Sequence, residues 1–232
     1  MNATHRLEGR VAIVTGAGGT LAEAIAARFA AEGARVVLAG PVAAGTPEPA
    51  AVERRALDPA DAAQWDALVA GVERSHGALH VLVNAAAAYA PAALLQTSLA
   101  QFDAVFRGTL EATWLGMRAC VPALRRTRGA IVNLSSIGGV HPGGFGAAHA
   151  VMTEGIALAS RSVAVDNGPT GPRVNVVQAG RVWDPEHAPS VAPLGGTDEL
   201  ADVVSTVLFL ASDEASMITG EVFRVDAGRA LA

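Results

Sequence analysis

Lysine is missing from all 232 residues, so the 17 basic side chains are arginines. That removes a Schiff-base amine, a phosphate-gripping ammonium and a lysine general acid from the chemistry open to this chain. Cysteine is nearly absent: Cys120 stands alone and cannot form an internal disulfide. It lies in an apolar helical stretch, so it is expected in the core, and the compartment is expected to be reducing. His5, His76, His80 and His187 show no ligand spacing, and with a single cysteine no metal site is expected. No apolar run is long enough to span a bilayer and no charged-then-apolar leader opens the chain, so a cytoplasmic location and no membrane contact are expected. The excess of acidic residues, formal charge −5 and pI near 5.7, argues against general affinity for nucleic acid or anionic lipid.

What is present is a hydrophobic chain (51%) large enough to bury one sizeable core, and residues 1–232 are expected to form a single domain. Arg10 to Thr15 is a β-branched run that turns through Gly16-Ala17-Gly18-Gly19 into a helical pattern from about Leu21 to Glu32. A second strand follows at Ala34 to Ala39, giving the strand-helix-strand start of a nucleotide-binding half-sheet. Further buried strands are predicted at Leu79 to Asn84, Ala130 to Ser135 and Arg173 to Gln178, and a last strand at Glu221 to Asp226. Helices are predicted at about Asp61 to Ser75, Leu99 to Leu124, Ala148 to Asp166 and Thr197 to Ala211. Such alternation means an α/β fold, a Rossmann-like doubly wound parallel sheet with helices on both faces. The Pro-, Gly- and Ala-rich stretch Gly40 to Ala50 reads as a loop where such folds usually carry another helix.

Several segments together resemble the short-chain dehydrogenases/reductases, from about Leu7 to Gly228. They are TGAGGTLAEAIA at Thr15 to Ala26, LVNAAA at Leu82 to Ala87, IVNLSS at Ile131 to Ser136, RVNVVQAG at Arg173 to Gly180 and LASDEASMITGEVFRVDAG at Leu210 to Gly228. The resemblance implies the fold just described, NAD or NADP as cofactor, and a strand serine acting with a Tyr-x-x-x-Lys pair. Ser136 stands at the serine position. The Tyr-x-x-x-Lys window reads His149-Ala150-Val151-Met152-Thr153, so the family's proton donor and its lysine are both replaced.

Other departures fall on cofactor positions. In the family's T-G-x-x-x-G-x-G the second and third glycines become Thr20 and Ala22, which crowds a backbone meant to approach a pyrophosphate. The first glycine, Gly16, is kept, and Gly18 and Gly19 are candidates to rebuild a different turn. Strand two ends Leu38-Ala39-Gly40-Pro41, with neither an acid for a ribose hydroxyl nor an arginine for an extra phosphate. Asp58 falls where the family contacts adenine, although an N-cap for the next helix is the preferred explanation. The family's N-N-A-G reads Asn84-Ala85-Ala86-Ala87. The long-helix asparagine becomes Thr109, which can hydrogen-bond its own helix as a structural filler. A shortened substrate lid is expected at about 181–196.

The expected function is therefore a degenerate family subunit without redox activity of its own, with no cofactor bound unless NAD or NADP still enters the vestigial site at Gly16, Gly18, Gly19, Asp58 and Asn84. Its expected partner is a second copy of itself or an active homologue. The resemblance implies assembly through the helices Leu99 to Leu124 and Ala148 to Asp166 and the C-terminal segment, with Phe102, Phe106, Leu110 and Trp114 on one helix and Val151, Ile156 and Ala159 on the other. The competing explanation of those faces is that they pack on the sheet. An alternative function keeps catalysis: an atypical NAD(P)-dependent oxidoreductase, or a cofactor-free isomerase or dehydratase, using Ser136 and His149 as acid-base pair. A small-molecule ligand in the vestigial cleft is a third possibility. A helix-terminal His149 and a solvated loop His141, neither catalytic, are the simpler explanations of those residues.

Overall fold

The computed structural model describes residues 5–41, 51–90, 92–140, 146–180, 192–194 and 199–231. Seven strands form one sheet, and every neighbouring pair runs parallel. They are β1 (Val11–Thr15), β2 (Arg35–Gly40), β3 (Val52–Ala56), β4 (Val81–Asn84), β5 (Ala130–Ser136), β6 (Arg173–Ala179) and β7 (Val222–Val225), in the order β3-β2-β1-β4-β5-β6-β7. The helices are α1 (Thr20–Ala31), α2 (Ala62–His76), α3 (Leu99–Val105), α4 (Ala112–Thr127), α5 (Ala147–Asn167) and α6 (Glu199–Ala211).

The pleat sorts alternate residues of each central strand to opposite layers. Ala12 and Val14 of β1 meet Leu21, Ile25 and Phe29 of α1 together with Val203 and Val207 of α6. Val11 and Ile13 face the other way, against Trp65, Leu68 and Val72 of α2 and Leu115, Cys120 and Leu124 of α4. Because both faces are covered, β1, β4 and β5 are buried along their whole length. Trp65 is fully enclosed, and its indole N–H is satisfied by the Pro59 carbonyl at 3.0 Å.

Three differences from the sequence expectations have physical reasons. β3 lies at the sheet edge and buries only Val52, so its Val-Glu-Arg-Arg-Ala sequence has no apolar run to announce it. The long helix expected from Leu99 is not uniform: a π-helical turn, Phe106–Glu111, joins α3 to α4. Such turns admit an extra residue and recur near functional sites. The N-cap of α2 is Asp61, whose Oδ1 accepts from Ala63 N and Gln64 N at 2.9 and 3.1 Å, and not Asp58. Asp58 instead closes an Asx turn on Ala60 N at 2.9 Å. Of the loop expected at Gly40 to Ala50, Gly40 ends β2, and residues 42–50 lie outside the described residues. No helix among the described residues is long and apolar enough to cross a membrane.

Candidate functional site

In an open parallel sheet the carboxyl ends of the strands make the ligand crevice, at the point where strand order reverses, here between β1 and β4. The carboxyl ends of β1, β2, β4 and β5 lie side by side around it.

The β1 loop is tight and inwardly bonded. Gly16 adopts φ +93, and a Cβ there would lie 2.9 Å from the Ala85 carbonyl oxygen, so only glycine fits between the two loops. Gly16 N and Ala17 N both donate to Ala39 O, at 2.9 and 3.2 Å, and Gly19 N donates to Gly16 O at 2.9 Å. Gly18 N donates to the Glu23 carboxylate at 3.0 Å. Arg54 of β3 grips that carboxylate with both terminal nitrogens at 2.7 Å. The Arg54 hydrogen bonds hold the Glu23 carboxyl below its ordinary value, against an opposing contribution from burial. Gly19 is the N-cap of α1 without any side-chain cap, and Thr20 opens the helix exposed.

β2 brings no ribose ligand. Gly40, its last residue, packs so closely on the β1 loop that a Cβ would fall 2.8 Å from Ala17 N. On β4, Asn84 turns its amide inward, donating to Asn133 Oδ1 at 2.8 Å and towards the Thr113 carbonyl at 3.5 Å. Asn133 in turn donates to Ser160 Oγ at 2.8 Å. Asn84 therefore ties β4 to β5 and α4, and its side chain is spent on the interior. Thr15 Oγ1 accepts from Ala85 N and Ala86 N at 3.0 and 3.2 Å, fixing the start of the β4 loop.

Thr109 fixes the continuation of that loop. Its Oγ1 accepts from Ala88 N at 3.1 Å and donates to Ala88 O at 3.2 Å. The expectation that Thr109 bonds its own helix is thus corrected. Thr113 does so instead, donating to the Thr109 carbonyl at 2.8 Å. A hydroxyl both donates and accepts, which lets one threonine hold both backbone groups of one residue.

Ser136 ends β5, buried, with Oγ accepting from Gly138 N at 3.1 Å. His149 lies in the first turn of α5 and is also buried. Burial pushes its pKa below the ordinary imidazole value. Thr153, one turn further on, is buried and donates to the Ala150 carbonyl at 3.0 Å. Ser135 Oγ donates to the Thr153 carbonyl at 3.0 Å and pins α5 to β5. The serine and histidine expected to work together thus come from adjoining elements, while positions 149 and 153 carry no permanent charge. His141 and His187 lie outside the described residues, as does most of the expected lid at 181–196. Among the described residues no group of His, Cys, Asp and Glu is arranged to hold a metal ion.

Four participants were not anticipated from the sequence. Glu23 and Arg54 meet only because β3 pairs with β2, and no local pattern joins them. Gln178 of β6 is buried and donates to Glu154 Oε1 at 2.9 Å. Tyr89, the single tyrosine, lies edge-on to His149. Its rarity was the one available signal.

Comparison with known proteins agrees with this architecture. Residues 16–230 match the family model described as enoyl-(acyl carrier protein) reductase. A 2,5-dichloro-2,5-cyclohexadiene-1,4-diol dehydrogenase of Sphingobium indicum is 31% identical over 97% of both chains. A 3-alpha-(or 20-beta)-hydroxysteroid dehydrogenase of Mycobacterium tuberculosis is 34% identical over 96% of this chain and 90% of its own. Among solved structures, ligand-free aldohexose dehydrogenase of Thermoplasma acidophilum superposes with a TM-score of 0.85 at 26% identity, over 97% of this chain and 96% of that one. The chain belongs to the short-chain dehydrogenase/reductase family.

The nicotinamide dinucleotides that this family uses meet a poor fit here. The uncapped start of α1 suits a pyrophosphate. Beside it, however, Gly18 N is already bonded to a carboxylate, Gly40 offers no ribose acceptor, and the Thr153 hydroxyl is bonded to its own helix.

Proposed function

We propose that this protein is a family subunit that has given up redox chemistry and serves as the structural partner in a homo- or hetero-oligomeric dehydrogenase or reductase. The observation that carries the reading is a set of large apolar side chains left in solvent on the helices beside the cleft. Leu99 (84% exposed), Phe102, Phe106 and Trp114 (50%) stand on α3, the π turn and α4. Val151 (60%), Leu158 (69%) and Val165 (81%) recur every seven residues along α5, on one face. The α5 face differs from the sequence expectation: Ile156 is buried and Ala159 packs into the core, while Leu158 and Val165 take the outer positions. Fully burying such side chains is worth about 1.5–3 kcal/mol each, and contiguous exposed apolar surface of this kind marks an association site.

The sheet and both core layers are complete, so the surface is presented by a well-packed body. The replacement of the family's tyrosine and lysine by His149 and Thr153, with Glu23 seated at the β1 loop, supports the loss of hydride transfer. The dehydrogenase activities named for the relatives belong to those proteins.

Titration of the purified protein with NADH and NADPH, followed by fluorescence and calorimetry, tests the redox half of the reading. No saturable binding is expected, and micromolar binding of either refutes it in favour of an atypical oxidoreductase using Ser136 and His149. Sizing after co-expression with an active family member tests the structural half. Oligomers of either composition are expected, and a monomer under both conditions refutes it.

A further inference from the structure

Tyr89 is fixed from both sides. Its neighbour Ala88 is held through both backbone groups by Thr109, and Gly108 of the π turn lies so close that a Cβ there would come 2.6 Å from Ala88 Cβ. On the other side is His149, with ring centroids 5.2 Å apart and ring planes at 81°. Edge-to-face ring contacts are favourable beyond the area they bury. The two rings differ sharply in exposure: His149 is 5% exposed and Tyr89 40%.

We propose that Tyr89 is the positioning residue of His149: its ring roofs the imidazole, sets the imidazole plane and keeps water from it. The roof is built by the β4 loop and the π turn. The charged groups on α5 and the elements packed around it are Asp103 on α3, Arg107 and Glu111 in the π turn, Arg118, Arg125 and Arg126 on α4, Arg173 on β6, and Glu154, Arg161 and Asp166 on α5. Arg107 and Glu111 pair with each other at 3.4 Å, and Glu154 accepts from Gln178. None of them contributes to the low pKa of His149, which burial alone produces.

Imidazole C–H resonances followed by NMR across pH, with His149→Gln to assign the signal, test the proposal. In the unaltered protein His149 is expected to titrate below the ordinary imidazole range. Tyr89→Phe keeps the ring and is expected to reproduce that curve. Tyr89→Ala removes the roof and is expected to move the midpoint upward and to quicken modification of His149 by diethyl pyrocarbonate. An unmoved midpoint in Tyr89→Ala overturns the proposal, as does a shift in Tyr89→Phe equal to that in Tyr89→Ala, since the hydroxyl and not the ring is then responsible. Nuclear Overhauser contacts between the Tyr89 and His149 rings in the unaltered protein test it without any substitution, and their absence is equally decisive against it.

Discussion

Arg54 holds the Glu23 carboxylate with two 2.7 Å hydrogen bonds, and the same carboxylate takes the Gly18 N–H at the mouth of the β1 loop. A negative side chain near a helix N-terminus is favourable through the helix dipole, and a forked guanidinium fixes its orientation. Arg54→Met is expected to lower stability by about 1–2 kcal/mol, read by urea denaturation. Glu23→Gln is expected to cost less, because its amide oxygen still accepts from Arg54. If both variants match the parent, the clasp is ornamental.

Thr109 and Ala88 offer a sharper test of the loop. Thr109→Val keeps shape but strands the Ala88 backbone N–H and C=O, with an expected loss of about 1–3 kcal/mol. Thr109→Ser retains the hydroxyl and is expected to stay within about 1 kcal/mol of the parent. Equal melting temperatures for the two variants contradict the double bond to Ala88.

Asn133 sits at the centre of the buried amide chain from Asn84 to Ser160. Replacing it with leucine leaves donors and acceptors unpaired in the sheet interior, and a loss of about 2–4 kcal/mol is expected in chemical denaturation. A cost under 1 kcal/mol shows that the neighbours find other partners.

The outer helices make a prediction about assembly rather than stability. Trp114→Glu and Leu158→Glu are expected to shift the protein to a smaller sedimenting species while circular dichroism stays as in the parent, because both positions are open to solvent in the single chain. Unchanged sedimentation in both variants places the interface elsewhere.

Acid sensitivity follows from depressed pKa values, those of His149 and His80 in an upper window and those of Glu23 and Asp61 in a lower one. His149 binds its proton more weakly folded than unfolded, so its share of stability is complete above roughly pH 6.5 and falls as pH drops through the lower folded value. Glu23 acts in a lower window: its share is complete above about pH 4.5 and is lost as pH falls through its folded value. His149→Gln is expected to flatten the stability profile below pH 6.5 and leave the Glu23 region unchanged. A profile equally steep in the variant assigns the upper window to another group.

Much of the fold was legible because burial on both faces writes itself as apolar runs. Val11 to Thr15, Ile131 to Leu134 and Val174 to Val177 need no partner to be recognised as central strands. β3 escaped because an edge strand satisfies its side chains in water, so Val52 to Ala56 carries no apolar run. The π turn escaped because the helical spacing of apolar residues survives one extra residue. In the site, Ser136, His149 and Thr153 were found through the family resemblance, by the IVNLSS segment and the Tyr-x-x-x-Lys window that follows it. The direction of Asn84 was not, since an asparagine at a strand end reads the same whether it faces a ligand or the interior.

By itself, the sequence determined the α/β architecture, the cleft's place at the strand ends and the loss of any lysine from it, since these depend on residue type and local period. Tertiary structure alone decided that Glu23 meets Arg54, that Thr109 clasps Ala88, and that Tyr89 roofs His149. Each joins residues far apart in the chain, and only the pairing of strands and the packing of α5 against the π turn bring their atoms within bonding range.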